Sequence, residues 1–206
     1  SQNRFDEAMR VNAELLAQAP DHPAVLVQAS RLAGQAGQQR RGRELARKAF
    51  DGRAGGQVDL ALLVSRLQTY YLHEEVLQVV DEIEARNVRD IRLLDLVATS
   101  LIQMDQPARA HALVERALAI SPGHPELLVT RAQTRVFKAD FAGAEDALAQ
   151  LLRQRPGDGF AWWLRTRLPG KSPPAHIDAI EALLRQPQAG NPMNTVFLAY
   201  ALHRAL

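Results

Sequence analysis

Residues 89–122 read RDIRLLDLVATSLIQMDQPARAHALVERALAISP. Leu94, Ala98 and Leu101 recur at helical spacing in the first half, Ala110 and Ala117 in the second, and Pro122 closes the stretch. The pattern is a helix, a short turn and a second helix, with small residues where two helices must approach closely. Pro122 lies 34 residues before Pro156, and Pro20 falls on the same ruler, the skipped marks being Ala54 and Val88. A fixed period of this length marks stacked two-helix units.

Cutting at the ruler gives full units at 21–54, 55–88, 89–122 and 123–156. A lone helix from Arg4 (4–20) precedes them, and a shortened unit (157–187) and a final helix (188–206) follow. Unit starts carry Asp21-His22-Pro23 and Gly123-His124-Pro125, suited to the first helical turn. One column of first helices reads Leu26, Leu60, Leu94, Leu128 and Trp162, and another Ser30, Val64, Ala98 and Ala132. The second helices align Ala8, Gly42, Val76, Ala110, Ala144 and Ala175, then Ala46, Val80, Val114, Leu148 and Ala179, then Leu15, Ala49, Ile83, Ala117, Leu151 and Ala182. Several coherent columns are stronger evidence of repetition than the prolines alone.

These residues, most cleanly Leu94, Ala98, Leu101, Ala110, Ala117 and Pro122, resemble the tetratricopeptide repeat in divergent form over almost the whole chain. The resemblance implies an all-α, right-handed superhelical solenoid of antiparallel helix pairs, about twelve helices in all, with the first helix of each pair lining the concave face. It also implies a scaffold that binds a protein or peptide. Some relatives grip chaperone C-termini with a lysine, asparagine and arginine set. Here the matching positions read Val27, Arg31, Leu62, Arg92 and Leu96, which excludes that partner.

Composition narrows the remaining classes. The 206 residues are 47% apolar and 23% charged, with no cysteine, so disulfides, thiol nucleophiles and thiolate metal sites are excluded. The net charge of +2 does not predict a nucleic-acid binder, and Arg40, Arg41, Arg43 and Arg47 lack interleaved aromatics and read as a solvated convex face. The longest apolar runs are too short to span a bilayer, and a cytoplasmic location is expected. No spacing of the six histidines suits a metal, no phosphate loop follows Ala54-Gly55-Gly56, and no elbow serine is present. No catalytic residue and no cofactor is expected.

The phase of the first helices selects a candidate groove: Gln28, Arg31, Ser65, Gln68, Thr69, Arg92, Asp95, Thr99, Gln103, Thr130 and Gln133, interrupted by Leu62, Leu96 and Trp163. Amides and hydroxyls can bond a peptide main chain without demanding charge. Arg131 and Arg135 break apolar columns, with Arg165 and Arg167 nearby. They are either paired stems facing Asp140, Glu145 or Asp146, or an anion or partner site beside the two tryptophans.

After Trp162-Trp163 the period slips, with only 31 residues from Pro156 to Pro187. Ile177, Asp178, Ile180, Leu183, Leu184, Phe197, Ala199, Tyr200 and Ala201 resemble the repeats that precede the catalytic part of bacterial tetratricopeptide–sulfotransferase proteins. That resemblance implies an accessory region of an enzyme whose catalytic domain follows Leu206. A structural spacer is the third reading. Both ends lack polar caps, so a fragment of a longer chain and end-to-end self-association are expected.

Overall fold

The computed structural model describes residues 2–55, 58–186 and 191–206. Gly56, Pro187 and the start of the 188–206 segment lie outside the described residues. Among the described residues the chain is all-α, with twelve α-helices, one 3-10 turn at Arg53–Gly55 and no strand. It divides into two compact units, 1–100 and 101–206.

In the first unit α1 (Gln2–Gln18) packs on α2 (Pro23–Gln35), α2 on α3 (Gln39–Asp51), and α4 (Leu60–Thr69) on α5 (His73–Ala85). Leu26, Ser30, Val64, Val76, Val80 and Ile83 are buried, as their columns require. The columns fail at α1, where Leu15 is 44% exposed, because a helix packed mainly on α2 buries only one stripe. At the α2–α3 crossing, the Tyr70 hydroxyl donates to Ser30 O (3.0 Å) and Ser30 Oγ donates to Gly42 O (2.8 Å). A Cβ on Gly42 would stand 1.9 Å from the Tyr70 hydroxyl oxygen.

α6 spans Ile91–Gln103, across the division at residue 100. The second unit goes on through α7 (Pro107–Ile120), α8 (Pro125–Phe137), α9 (Phe141–Gln154), α10 (Gly159–Thr166), α11 (Pro174–Arg185) and α12 (Pro192–Ala205). Ala110, Val114, Leu128, Ala132, Ala144, Leu148 and Leu151 form its core. In α11 the columns fail again: Ala175 and Ala182 are exposed and Ile180 is the buried residue, because the shortened spacing rotates the helix off the ruler. α10 packs directly on α12, the first helix of one unit against the first helix of the next, as α2 packs on α4. Asn194 is the clamp there: its Oδ1 accepts from Gly159 N (2.7 Å) and its Nδ2 donates to Gly157 O (2.9 Å). Gly159 permits the approach, since a Cβ would lie 2.5 Å from Asn194 O.

A second 34-residue period is written in the backbone. Gly37, Tyr71, Asp105 and Ala139 have φ of 76°, 56°, 57° and 55°, each in a three-residue turn between paired helices. Each turn closes with the same two bonds. In the first, Gln38 N donates to Ala33 O (2.8 Å) and Gly37 N to Gly34 O (3.1 Å), and in the last, Asp140 N donates to Arg135 O (2.9 Å) and Ala139 N to Val136 O (3.0 Å). This is the Schellman termination, in which one left-handed residue satisfies two orphan carbonyls. The next mark is Pro173, with φ −59°. A proline ring cannot adopt positive φ. The three-residue turn is replaced there by residues 167–173, and α10 ends after eight residues where α8 has 13.

Ala139→Gly should therefore stabilise the protein by about 1 kcal/mol, since glycine carries no left-handed penalty. Urea unfolding checks this, and a loss of stability would contradict the turn. Gly42→Ala should cost about 2 kcal/mol or more by overpacking against Tyr70, and an unchanged unfolding midpoint would refute that close contact.

Candidate functional site

Eight of the polar groove candidates, with Thr69 exposed and its hydroxyl donating to Ser65 O (2.8 Å), lie on the first unit's helices and on the part of α6 up to residue 100, the rest after residue 100. On α2, Gln28 is exposed and Arg31 is half-buried, its Nε donating to Gln28 Oε1 (3.1 Å) and its Nη1 to Gln35 Oε1 (3.1 Å). On α4, Ser65 and Gln68 are half-buried, and Ser65 Oγ accepts from Arg66 Nη2 (3.1 Å). On α6, Arg92 is exposed at the first turn, where its N–H bonds Asp90 Oδ1 (2.9 Å), and Asp95 and Thr99 are half-buried.

In the second unit Gln103 is exposed, whereas Thr130 is only 4% exposed. The Thr130 hydroxyl donates back to Glu126 O (3.2 Å), so it satisfies the helix rather than lining a surface. Gln133 and Trp163 meet in one cavity of about 350 Å³. Ala132 and Leu148 form its floor, and Phe137, Phe141, Trp163 and Leu164 its walls. Gln133 and Arg167 supply the polar groups. The cavity is lined by the C-terminal half of α8 and the C-terminal end of α10.

Phe137 is 55% exposed and Phe141 39%. Neither was selected by sequence phase. The signal was available in the register: Gln35, Thr69, Gln103 and Phe137 occupy one 34-residue column, polar in three units and aromatic in the fourth. Trp163 is held by neighbours, with Phe160 stacked at 5.4 Å and Phe197 tilted at 5.6 Å between ring centroids. The Arg167 guanidinium sits over its ring, 4.6 Å from the centroid.

The four arginines do not converge on one anion. Arg131 binds Glu115 through two bonds, Nε to Oε1 (2.8 Å) and Nη2 to Oε2 (3.0 Å). That partner is on α7, not among the acids expected from sequence, because the pair joins neighbouring helices 16 residues apart. Arg135 Nη1 donates to Asp140 Oδ2 (2.7 Å), and its Nη2 lies 3.6 Å from Glu115. Gly143 leaves the room for it, since a Cβ would meet Arg135 Nη1 at 1.9 Å. Arg165 grips Glu145 through Nε, at 2.8 and 3.0 Å, and also through Nη2. These three guanidiniums thus already hold carboxylates, as stems paired across helices do. Arg167 has no carboxylate within ion-pair distance among the described residues.

A second cavity, of about 330 Å³, lies beneath the 167–173 segment and is lined by Arg165, Glu145, Lys171, Ser172 and His176 among others. Burial holds the His176 imidazole below its ordinary pKa, Arg165 adds to this, and Glu145 opposes it. His111, whose Nδ1 lies 3.2 Å from Thr134 Oγ1, is lowered first by burial and then by Lys138, with Arg135 and Arg131 adding and Glu115 opposing. A lowered histidine pKa favours the neutral form in the folded chain. Its contribution to stability is full above the unfolded value and is lost as pH falls through the folded one. Proton NMR titration should therefore place the His111 and His176 midpoints below 6.5. Midpoints at or above that value would contradict the packing around them.

Among the described residues no helix is long and apolar enough to cross a membrane. Apolar side chains are exposed on α12 (Met193, Val196, Tyr200) and on α1 (Val11, Leu15).

No curated protein matches the chain significantly by sequence. Among solved structures it is similar to PilF of Pseudomonas aeruginosa, with a TM-score of 0.65 and 15% identity over 96% of this chain and 90% of that one. It is also similar to YrrB, described as a tetratricopeptide repeat protein with an unusual peptide-binding site, with a TM-score of 0.58 and 12% identity over 90% of this chain and 95% of that one. A third is the C-terminal part of a tetratricopeptide repeat-containing protein of Cytophaga hutchinsonii, with a TM-score of 0.53 and 11% identity over 98% of this chain and 75% of that one. Residues 101–168 match the family model of the tetratricopeptide repeat. The chain has the all-α fold of these helical-repeat proteins, and its segment 101–168 carries the tetratricopeptide repeat signature.

Proposed function

We propose that this chain is a scaffold that binds a peptide or a segment of another protein along the first helices of its pairs. The observation that carries the reading is the meeting of Gln133 and Trp163, both selected by helical phase, in one open cavity. Gln28, Ser65, Gln68, Arg92, Thr99 and Gln103 are exposed or half-exposed at the same phase. Their amides, hydroxyls and guanidinium can satisfy the main chain of an extended segment. The peptide-binding site described for YrrB is consistent with this use of the fold. Interaction surfaces of repeat proteins vary independently of the scaffold, so the fold leaves the partner's sequence open. No feature of the site favours the accessory region of a sulfotransferase over a free-standing scaffold.

The test is selection from a random twelve-residue peptide library on the whole chain, followed by affinity measurement on a Gln68→Ala, Arg92→Ala, Gln103→Ala variant. Selected peptides should bind the variant about tenfold more weakly, as expected when several polar contacts are lost. Failure to select any peptide, or undiminished binding to both this variant and one altered at Trp163, would reject the reading.

A further inference from the structure

We infer that the cavity between α8 and the C-terminal end of α10 receives a bulky apolar side chain, phenylalanine or leucine, from a peptide that carries a carboxylate beside it, and that Arg167 binds that carboxylate. This rests on the proposed peptide-binding role and names the chemistry of the partner at one place. Two independent observations carry it.

The first is apolar. Phe137 is 55% exposed at a column that holds Gln35, Thr69 and Gln103 in the preceding units, so the fold does not require an aromatic ring there. It lines the cavity with Phe141, Trp163 and Leu164. At about 350 Å³ the space is at the lower end of the range of ligand pockets, roughly 300–1,000 Å³. It suits one side chain rather than a cofactor. An open space with this lining gains by excluding water, which a bulky apolar group does and a short polar one does not.

The second is electrostatic. Arg131, Arg135 and Arg165 each hold a carboxylate, whereas Arg167, exposed beside the same cavity, has none among the described residues. Its planar group lies over Trp163. With its Cζ 4.6 Å from the ring centroid and no carboxylate partner among the described residues, the guanidinium keeps N–H donors for a carboxylate, and the attraction of the ring restrains the group before the ligand arrives. Gln133, on the same lining, offers one donor and one acceptor face to a peptide main chain. A basic peptide would place like charge against Arg167, so the site discriminates by sign.

The experiment titrates the whole 15N-labelled chain with acetyl-Ser-Asp-Phe-Asp-Ser-amide and follows the Trp163 indole N–H resonance. Peptides with alanine in place of phenylalanine, and with lysines in place of both aspartates, serve as comparisons. The acidic phenylalanine peptide should shift Trp163, and each altered peptide should bind about tenfold more weakly, the scale of a lost charge-assisted pair or a lost buried ring. Phe137→Gln, which restores the polar character of its column, should weaken binding similarly. Arg167→Gln should remove the preference for aspartate over lysine. Both residues are exposed, and circular dichroism on each variant is the control for folding.

A Trp163 resonance unmoved by the peptide, or a preference for aspartate that survives Arg167→Gln, would overturn the inference. So would a Trp163 shift that appears with protein concentration alone and is abolished by Phe137→Gln, since a second copy would then fill the cavity. Shifts confined to α2, α4 and α6 would overturn this assignment while leaving the broader peptide-binding role intact, whereas a chain that takes no peptide from a random library fails on both counts.

Discussion

One backbone constraint organises the regular part of this chain: each helix pair turns on a single residue in the left-handed region. Gly37, Tyr71, Asp105 and Ala139 hold that conformation at 34-residue intervals, and only the first is a glycine. The others accept a local cost because the turn satisfies two carbonyls that the helix end would leave bare. A three-residue connection then leaves the paired helices antiparallel and in contact. This brings the small residues of the crossing, such as Ser30 and Gly42, within bonding distance. Tyr70 fills the space that Gly42 leaves, so the turn and the crossing support each other.

The same constraint explains the irregular part. Pro173 stands at the mark where a positive φ is needed, and its ring forbids it. The connection there runs over 167–173 instead, and Pro169, which lies where α10 would continue, stops that helix at Thr166. Two effects follow from the shortening. Trp163 lies in the last turn of α10 with Arg167 as its C-cap, and Phe137 and Phe141, on either side of the α8–α9 turn, remain partly exposed. α10 packs on α9 and on α12, the latter through the Gly159–Asn194 clamp and the cluster of Phe160, Trp163 and Phe197. The feature that departs from the repeat thus creates the cavity with the most distinctive lining.

Much of the fold was legible in the sequence because burial repeats with the helices. Val64, Ala98, Ala132 and their columns are buried as the register requires. The turn was harder to read: tyrosine, aspartate and alanine do not announce a positive φ, and only Gly37 does. Trp163 and Gln133 could be selected by phase. Phe137 was missed because an aromatic residue near a helix end reads as core, and only its polar column mates reveal it as a surface residue. Thr130 was misjudged because a hydroxyl that bonds its own helix can be buried at no loss. The Arg131–Glu115 pair depends on how helices meet in space, which no local pattern encodes.

The backbone torsions of the turn residues decide whether the helix pairs close in this way. Cross-correlated relaxation NMR on the folded chain measures φ at Tyr71, Asp105 and Ala139 without reference to coordinates. Positive φ at all three, near the 56°, 57° and 55° of the structure, is the predicted result. Negative φ at these positions would mean that the pairs close by another turn, and the shared 34-residue constraint on the backbone would be contradicted.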